Sequence, residues 1–222
     1  MSKFIVDLHI HTRYGSACSR LEPQALVAAA KKLGLSAVGI TEHDYLWDAD
    51  KIRDLASSSG LIIFRGIEVA SDQGHLLVFG LEDYPKDISC AERLREAVDR
   101  TGGVIIAAHP YRHTPGAVSW KKMGKRPVFR LAHEAEAFNG ISSDTDNEMA
   151  FQLCRRLGFR GVAASDAHAP HQVGLGVTIF DSPIRNDQEL AEALKAKAFA
   201  AARLIDGEFQ PLEDYRIISN PV

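Results

Sequence analysis

A chain of 222 residues, 45% hydrophobic and 25% charged with a net charge of −3, has room for one sizeable core and reads as a single domain over 1–222. That balance supports neither membrane association nor long nucleic acid bound through many phosphate contacts, and no apolar run approaches the ~20 residues of a membrane span. The opening MSKFIVDLHI enters a strand at once rather than reading as a secretory leader, and Cys18, Cys90 and Cys154, odd in number and far apart, suit reduced thiols in a cytoplasmic protein.

The first strand is expected over 4–9. Pro23 then opens a helix in which Leu26, Ala29, Ala30 and Leu33 recur at helical spacing until Gly34. Further strands are expected at 36–41, 61–67, 75–79, 103–108, 131–138, 160–164 and 176–180. Helical patterns fall near 48–58, 89–101, 145–157 and 187–198, with Gly158 ending the third of these. Such alternation predicts a mostly parallel sheet with helices outside it. Residues 110–130 lack a clear period and carry Arg112, Lys121, Lys122, Lys125, Arg126 and Arg130 without a single acid, as a basic functional loop would. Residues 206–222 read as a terminal extension over the surface.

Polar residues interrupt this pattern at particular places. In DLHIHT, an extended chain puts Asp7, His9 and His11 on one face and Leu8 and Ile10 on the other. Three buried polar side chains are costly unless something satisfies them. His43 follows the strand 36–41, Glu68 ends 61–67, His109 ends 103–108, Asn139 ends 131–138, and Asp166 and His168 follow 160–164. Only His75 opens a strand instead. The carboxyl ends of parallel barrel strands converge on one mouth. There His9, His11, Glu68, His75, His109 and Asp166 make a mixed nitrogen and oxygen set suited to Zn, Mn or Fe rather than Ca or Mg. Asp7 is expected to brace a ligating histidine from behind. Glu42 and Asp44 stand where a helix cap would fit, and His113, His133 and His171 read as bystanders.

Taken in order, DLHIHT at 7–12, TEHD at 41–44, GIE with His75 after it, HP at 109–110 and SDAH at 165–168 resemble the polymerase and histidinol phosphatase (PHP) domain, over about residues 4–180. The resemblance implies an α/β fold, a distorted (β/α)7 TIM-like barrel with two or three divalent metals at its mouth. It implies that His9, His11, Glu68 and Asp166 hold one metal, and that Glu68 bridges to a second held by His75 and His109. His43 and His168 match the pair that holds a third. Trinuclear members supply one more His or Asp soon after the first motif, but here no imidazole or carboxylate lies between His11 and Glu22. His43 and His168 are therefore equally placed to meet a substrate phosphate.

The implied reaction is hydrolysis of a small phosphomonoester or a nucleotide by a hydroxide bridging the metals, with Asp44, His43 or His168 protonating the leaving group. Arg112, with Arg13 as second choice, is expected to grip the phosphate, and Asn139 to support the ligands alongside Asp7. A nuclease acting on short nucleic acid is the alternative within the same chemistry. A carbon–nitrogen hydrolase of the amidohydrolase type would commonly bridge its metals with a strand-end lysine, which is missing, and a metal-free binding module would have lost its ligands.

Overall fold

The computed structural model describes residues 3–84, 89–112 and 120–212, without the side chains of Trp120 and Lys121. Its elements in chain order are β1 (Phe4–Ile10), α1 (Pro23–Lys32), β2 (Ala37–His43), α2 (Ala49–Ser59), β3 (Ile62–Ser71), β4 (Gly74–Phe79), α3 (Ala91–Thr101), β5 (Val104–Ala107), α4 (Trp120–Met123), α5 (Val128–Leu131), β6 (Glu134–Asn139), α6 (Asp144–Leu157), β7 (Val162–Ala164), β8 (Gly176–Phe180), α7 (Asp187–Lys195), β9 (Phe199–Ile205) and β10 (Glu208–Pro211). Every strand expected from the apolar runs is present. The helices begin where the chemistry allows: Pro23 occupies the first turn of α1, Asp48 accepts from Asp50 N–H and Lys51 N–H to cap α2, and Ser143 caps α6. Gly158, at φ 78°, ends α6 as its sequence position predicts.

The strands form one curled sheet in the order β10-β9-β8-β1-β2-β3-β4-β5-β6-β7. β1, β2 and β3 run parallel, as do β5, β6 and β7, while β4 lies antiparallel between β3 and β5. These seven strands make the distorted α/β barrel. The turn after β7 reaches back to β1 through the Ile10–Ala167 bridge, and β7 itself meets β8 through the Thr178 hydroxyl, which donates to Ala163 O. The reversal of β4 matters for function. A hairpin after Glu68 brings the start of β4 to the rim where its neighbours end, so His75 joins the strand-end residues despite opening its strand.

Buried side chains lie in three clusters. Val6, Leu8, Phe64, Leu77, Phe79 and Ile106 belong to one; Ile10, Leu26, Ile40 and Ile52 to a second, around α1 and α2; Val78, Leu94, Val98 and Leu153 to a third, around α3 and α6. Each fully buried Leu, Ile or Phe contributes about 1.5–3 kcal/mol of transfer free energy. The Phe79 ring fits because Gly66 faces it: a Cβ on Gly66 would stand 2.5 Å from Phe79 Cε1. This contact seats β4 on β3 two residues before Glu68.

Two expectations about the chain's later part need correction, and one strand there was not anticipated. Phe199–Ile205, for which the sequence suggested no element, forms β9, antiparallel to β8. Glu208–Pro211 pairs with it as β10, so the start of the expected surface extension is a sheet edge; residues 213–222 lie outside the described residues. The basic stretch contains two short helices, α4 and α5, with Val128 and Phe129 buried. Among the described residues no helix is long and apolar enough to cross a membrane.

Candidate metal centre

The first motif does not alternate as a regular strand would. Pairing of β1 with β2 slips between Asp7 and Ile10, and Leu8 and Ile10, two residues apart, consequently fall in different core clusters. Such a bulge re-aims side chains beside a site. Asp7 therefore does not share a face with His9 and His11, contrary to the expectation from simple alternation. Its buried carboxylate accepts from Ser165 N–H at 3.0 Å and Gly174 N–H at 2.8 Å, with His9 N–H at 3.4 Å. Asp7 thus fastens the backbone behind Asp166 and, among the described residues, braces no imidazole. Burial pushes its pKa up to about 6.

His9 and His11 are aimed by what holds their far nitrogens. His9 Nδ1–H donates to Glu136 Oε1 at 2.8 Å. Ser16 gives its hydroxyl proton to Glu42 Oε2 at 2.6 Å and so accepts from His11 Nδ1–H at 3.2 Å. With protons assigned from this network, each Nε2 carries a bare lone pair, and the two stand only 2.9 Å apart. Lone pairs facing at that separation repel unless a cation lies between them. Two ligands about 2.0–2.1 Å from one metal at right angles stand about 2.9 Å apart.

Glu68 is the hub. Its Oε1 lies 2.8 Å from His75 Nδ1 and 3.0 Å from His109 Nε2; its Oε2 lies 2.9 Å from His43 Nδ1, 3.2 Å from His11 Nε2 and 3.3 Å from His9 Nε2. Asp166 Oδ1 stands 3.1 Å from His11 Nε2 and 3.4 Å from His9 Nε2. Neither Glu68 Oε2 nor Asp166 Oδ1 accepts a hydrogen bond among the described residues, although both are buried. Orphaned carboxylate oxygens are expensive in a protein interior, and a shared cation satisfies them. Burial disfavours charge on His9, yet Asp166, Glu136 and Glu68 outweigh it and raise its pKa well above the usual value. Burial likewise opposes ionisation of Glu68 and Asp166, but the surrounding imidazoles, with Arg112 beside Asp166, hold both carboxyls below their ordinary range. A field that strong toward positive charge also favours a divalent ion. Four overlapping donor groups could hold one: His9, His11 and Asp166; His9, Glu68 and His109; His43, Glu68 and His75; and His11, His43 and His168.

The remaining expected residues divide. Arg112 reaches the centre, but as a partner of protein groups: its Nη2 lies 2.5 Å from Asp166 Oδ2 and also donates to Asn139 Oδ1, while Nε donates to Ser142 Oγ at 3.2 Å. Asn139 donates to Glu136 Oε2 at 2.9 Å and Asp166 Oδ2 at 3.3 Å, so it touches the candidate ligand Asp166. Asp44 is exposed, and its Oδ1 accepts from Ala70 N–H at 3.0 Å and Tyr84 O–H at 3.3 Å, which ties that oxygen to β3. Arg13 pairs with Glu22 at 2.7 Å on the surface, outside the cluster. His133 accepts from Ile105 N–H at 3.0 Å, far along the sheet, and His171 is exposed. His113 lies outside the described residues. Asp44, His109 and Asp166 have positive φ, 48°, 25° and 56°, so three strand ends turn sharply at the site.

Four residues hold the site in a way the sequence did not suggest. Glu136, fully buried in β6, accepts from His9 Nδ1–H, from His109 N–H at 2.7 Å and from Asn139. Glu42 caps no helix; it accepts from Thr12 N–H, the Thr12 hydroxyl, Ser16 and, at 2.9 Å, Trp47 Nε1–H. Ser16 links it to His11, and the buried Trp47 holds its other oxygen.

Comparison with known proteins agrees with this geometry. Residues 7–119 match the PHP domain, and residues 144–199 match a PHP-associated family. An uncharacterised protein of Methanocaldococcus jannaschii is 33% identical over 149 residues, 62% of this chain and 83% of its own length. The alpha subunit of DNA polymerase III from Saccharopolyspora erythraea is 29% identical over 132 residues, 59% of this chain, which spans only 10% of that subunit. Among solved structures, a two-domain protein containing a predicted PHP-like metal-dependent phosphoesterase from Bacteroides vulgatus superposes with a TM-score of 0.71 at 22% identity, over 90% of this chain and 64% of that one.

Proposed function

Because the chain belongs to the PHP domain family, we propose that it is a metal-dependent phosphoesterase that hydrolyses a small phosphomonoester or a nucleotide. The observation that carries this reading is Glu68, a buried carboxylate faced by five imidazole nitrogens, with one oxygen left without a hydrogen bond. His9, His11, Glu68 and Asp166 would hold one divalent cation, and Glu68, His75 and His109 a second. The mixed donor set suits Zn, Mn or Fe. A bound pair would supply an activated water near neutral pH and neutralise charge on the phosphoryl oxygens.

The chain's own groups do the rest. Glu136 and Ser16 fix the His9 and His11 tautomers, and Arg112 with Asn139 holds Asp166 by its Oδ2, leaving Oδ1 for the centre. His43 and His168, both partly exposed at the mouth, are the favoured donors of a proton to the leaving group, ahead of Asp44, whose Oδ1 is tied to β3. His43 and His168, with His11, also form the group that a third cation would use.

The polymerase relative supports a second reading, a nuclease acting on short nucleic acid. Incubation of metal-loaded protein with phosphorylated metabolites, nucleotides and short oligonucleotides separates the two. Inorganic phosphate is expected from monoesters. Shortened oligonucleotides without free phosphate would favour the nuclease, and ammonia or acid without phosphate would overturn both.

A further inference from the structure

Beside His75 and His109 lies a cavity of about 280 Å³, whose walls include Arg112, Arg126, Val128 and Phe129. Its size is below the roughly 300–1,000 Å³ of pockets that hold drug-sized ligands. The two arginines differ. Arg112 is neutralised by Asp166. Arg126 has no carboxylate within ion-pair distance among the described residues, yet its guanidinium is fixed: Nη2 donates to Gln73 O at 2.5 Å and Nη1 to Met123 Sδ at 3.7 Å. Residue 74, which opens β4 beside this contact, is glycine at φ 123°, a backbone conformation that other residues rarely adopt.

Arg126 is thus an exposed but anchored cation, with no counter-ion among the described residues, on the wall of a small cavity that opens on the candidate metal ligands. We infer that Arg126 selects substrates whose small organic part carries a second oxyanion, a carboxylate or another phosphate, while the scissile phosphate lies at the His75–His109 end. The inference rests on the phosphoesterase reading for the identity of the first anion. Val128 and Phe129 supply the apolar wall for the carbon atoms between the two, and the basic character of the segment after His109 acquires a specific member rather than a diffuse field. A guanidinium that grips carboxylate or phosphate through charge-assisted hydrogen bonds discriminates against a neutral group at the same place.

The test uses non-hydrolysable ligands, so that binding is read without turnover. Calorimetric titration of metal-loaded protein compares propylphosphonate, 3-phosphonopropionate and propane-1,3-diyl bisphosphonate. The wild type is expected to bind at least one of the two doubly anionic ligands about tenfold more tightly than propylphosphonate, and the choice between them identifies the second oxyanion. In Arg126→Gln that ratio collapses to about one, while Arg126→Lys, which keeps the charge, retains part of it; unchanged melting temperatures show that both variants fold. Equal affinities in the wild type, an unaltered ratio in Arg126→Gln, or no binding of any ligand would each overturn the assignment. Intact selectivity without phosphate release from any ester would count against the hydrolytic reading alone.

Discussion

Glu68→Gln is expected to lose bound metal and turnover together. The substitution keeps size and one carbonyl oxygen but removes the charge around which His9, His11, His43, His75 and His109 are arranged. It also places an NH2 group against imidazole nitrogens. Those nitrogens must present lone pairs to a cation, and an amide donor would compete for them. Loss of a residue that only supports a ligand costs about 10–100-fold in metal affinity, so removal of the shared carboxylate is expected to exceed ~100-fold. Elemental analysis and phosphate release on the same preparation check this. A fully loaded, fully active variant would remove Glu68 from the centre.

Glu136→Gln is the second large effect, although Glu136 belongs to none of the four donor groups. Three donors converge on its two oxygens: His9 Nδ1–H, His109 N–H and an Asn139 amide N–H. Glutamine offers one oxygen and one NH2 group, so at least one donor must face another donor in a buried place. Rotating the amide moves the conflict from His9 to the His109 backbone without removing it. The His9 tautomer that bares Nε2 then loses its anchor, and metal affinity is expected to fall about 10–100-fold, measured by competition with a chromophoric chelator. Wild-type affinity in this variant would show that the Glu136 carboxylate does not orient the ligands.

Much of this was legible in the sequence because the candidate ligands sit in or just beyond the carboxyl-end halves of strands. His9 lies in β1 and Glu68 in β3, His11 and His109 follow β1 and β5, Asp166 lies in the turn after β7, and apolar runs mark those strands well. What escaped depends on pairing rather than pattern. The bulge in β1 reverses alternation and removes Asp7 from the face of His9, and nothing in DLHIHT announces the slip. The reversal of β4 accounts for His75, whose position at a strand start looked exceptional. Glu136 could have been found: the EAEAFN run places acids alternately in a strand, and buried carboxylates demand partners. The partners of Arg112 and Arg13 were beyond reach, because long side chains choose among neighbours that only the folded chain supplies.

The central claim is that divalent cations occupy the space enclosed by His9, His11, Glu68, His109 and Asp166. Diffraction from crystals grown with Mn or Zn, recorded across the absorption edge of the metal, tests it most directly. Anomalous peaks are expected about 2.0–2.3 Å from His9 Nε2, His11 Nε2 and the nearest oxygens of Glu68 and Asp166. A map with no peak among these atoms, at metal concentrations that saturate the protein in solution, would contradict the account.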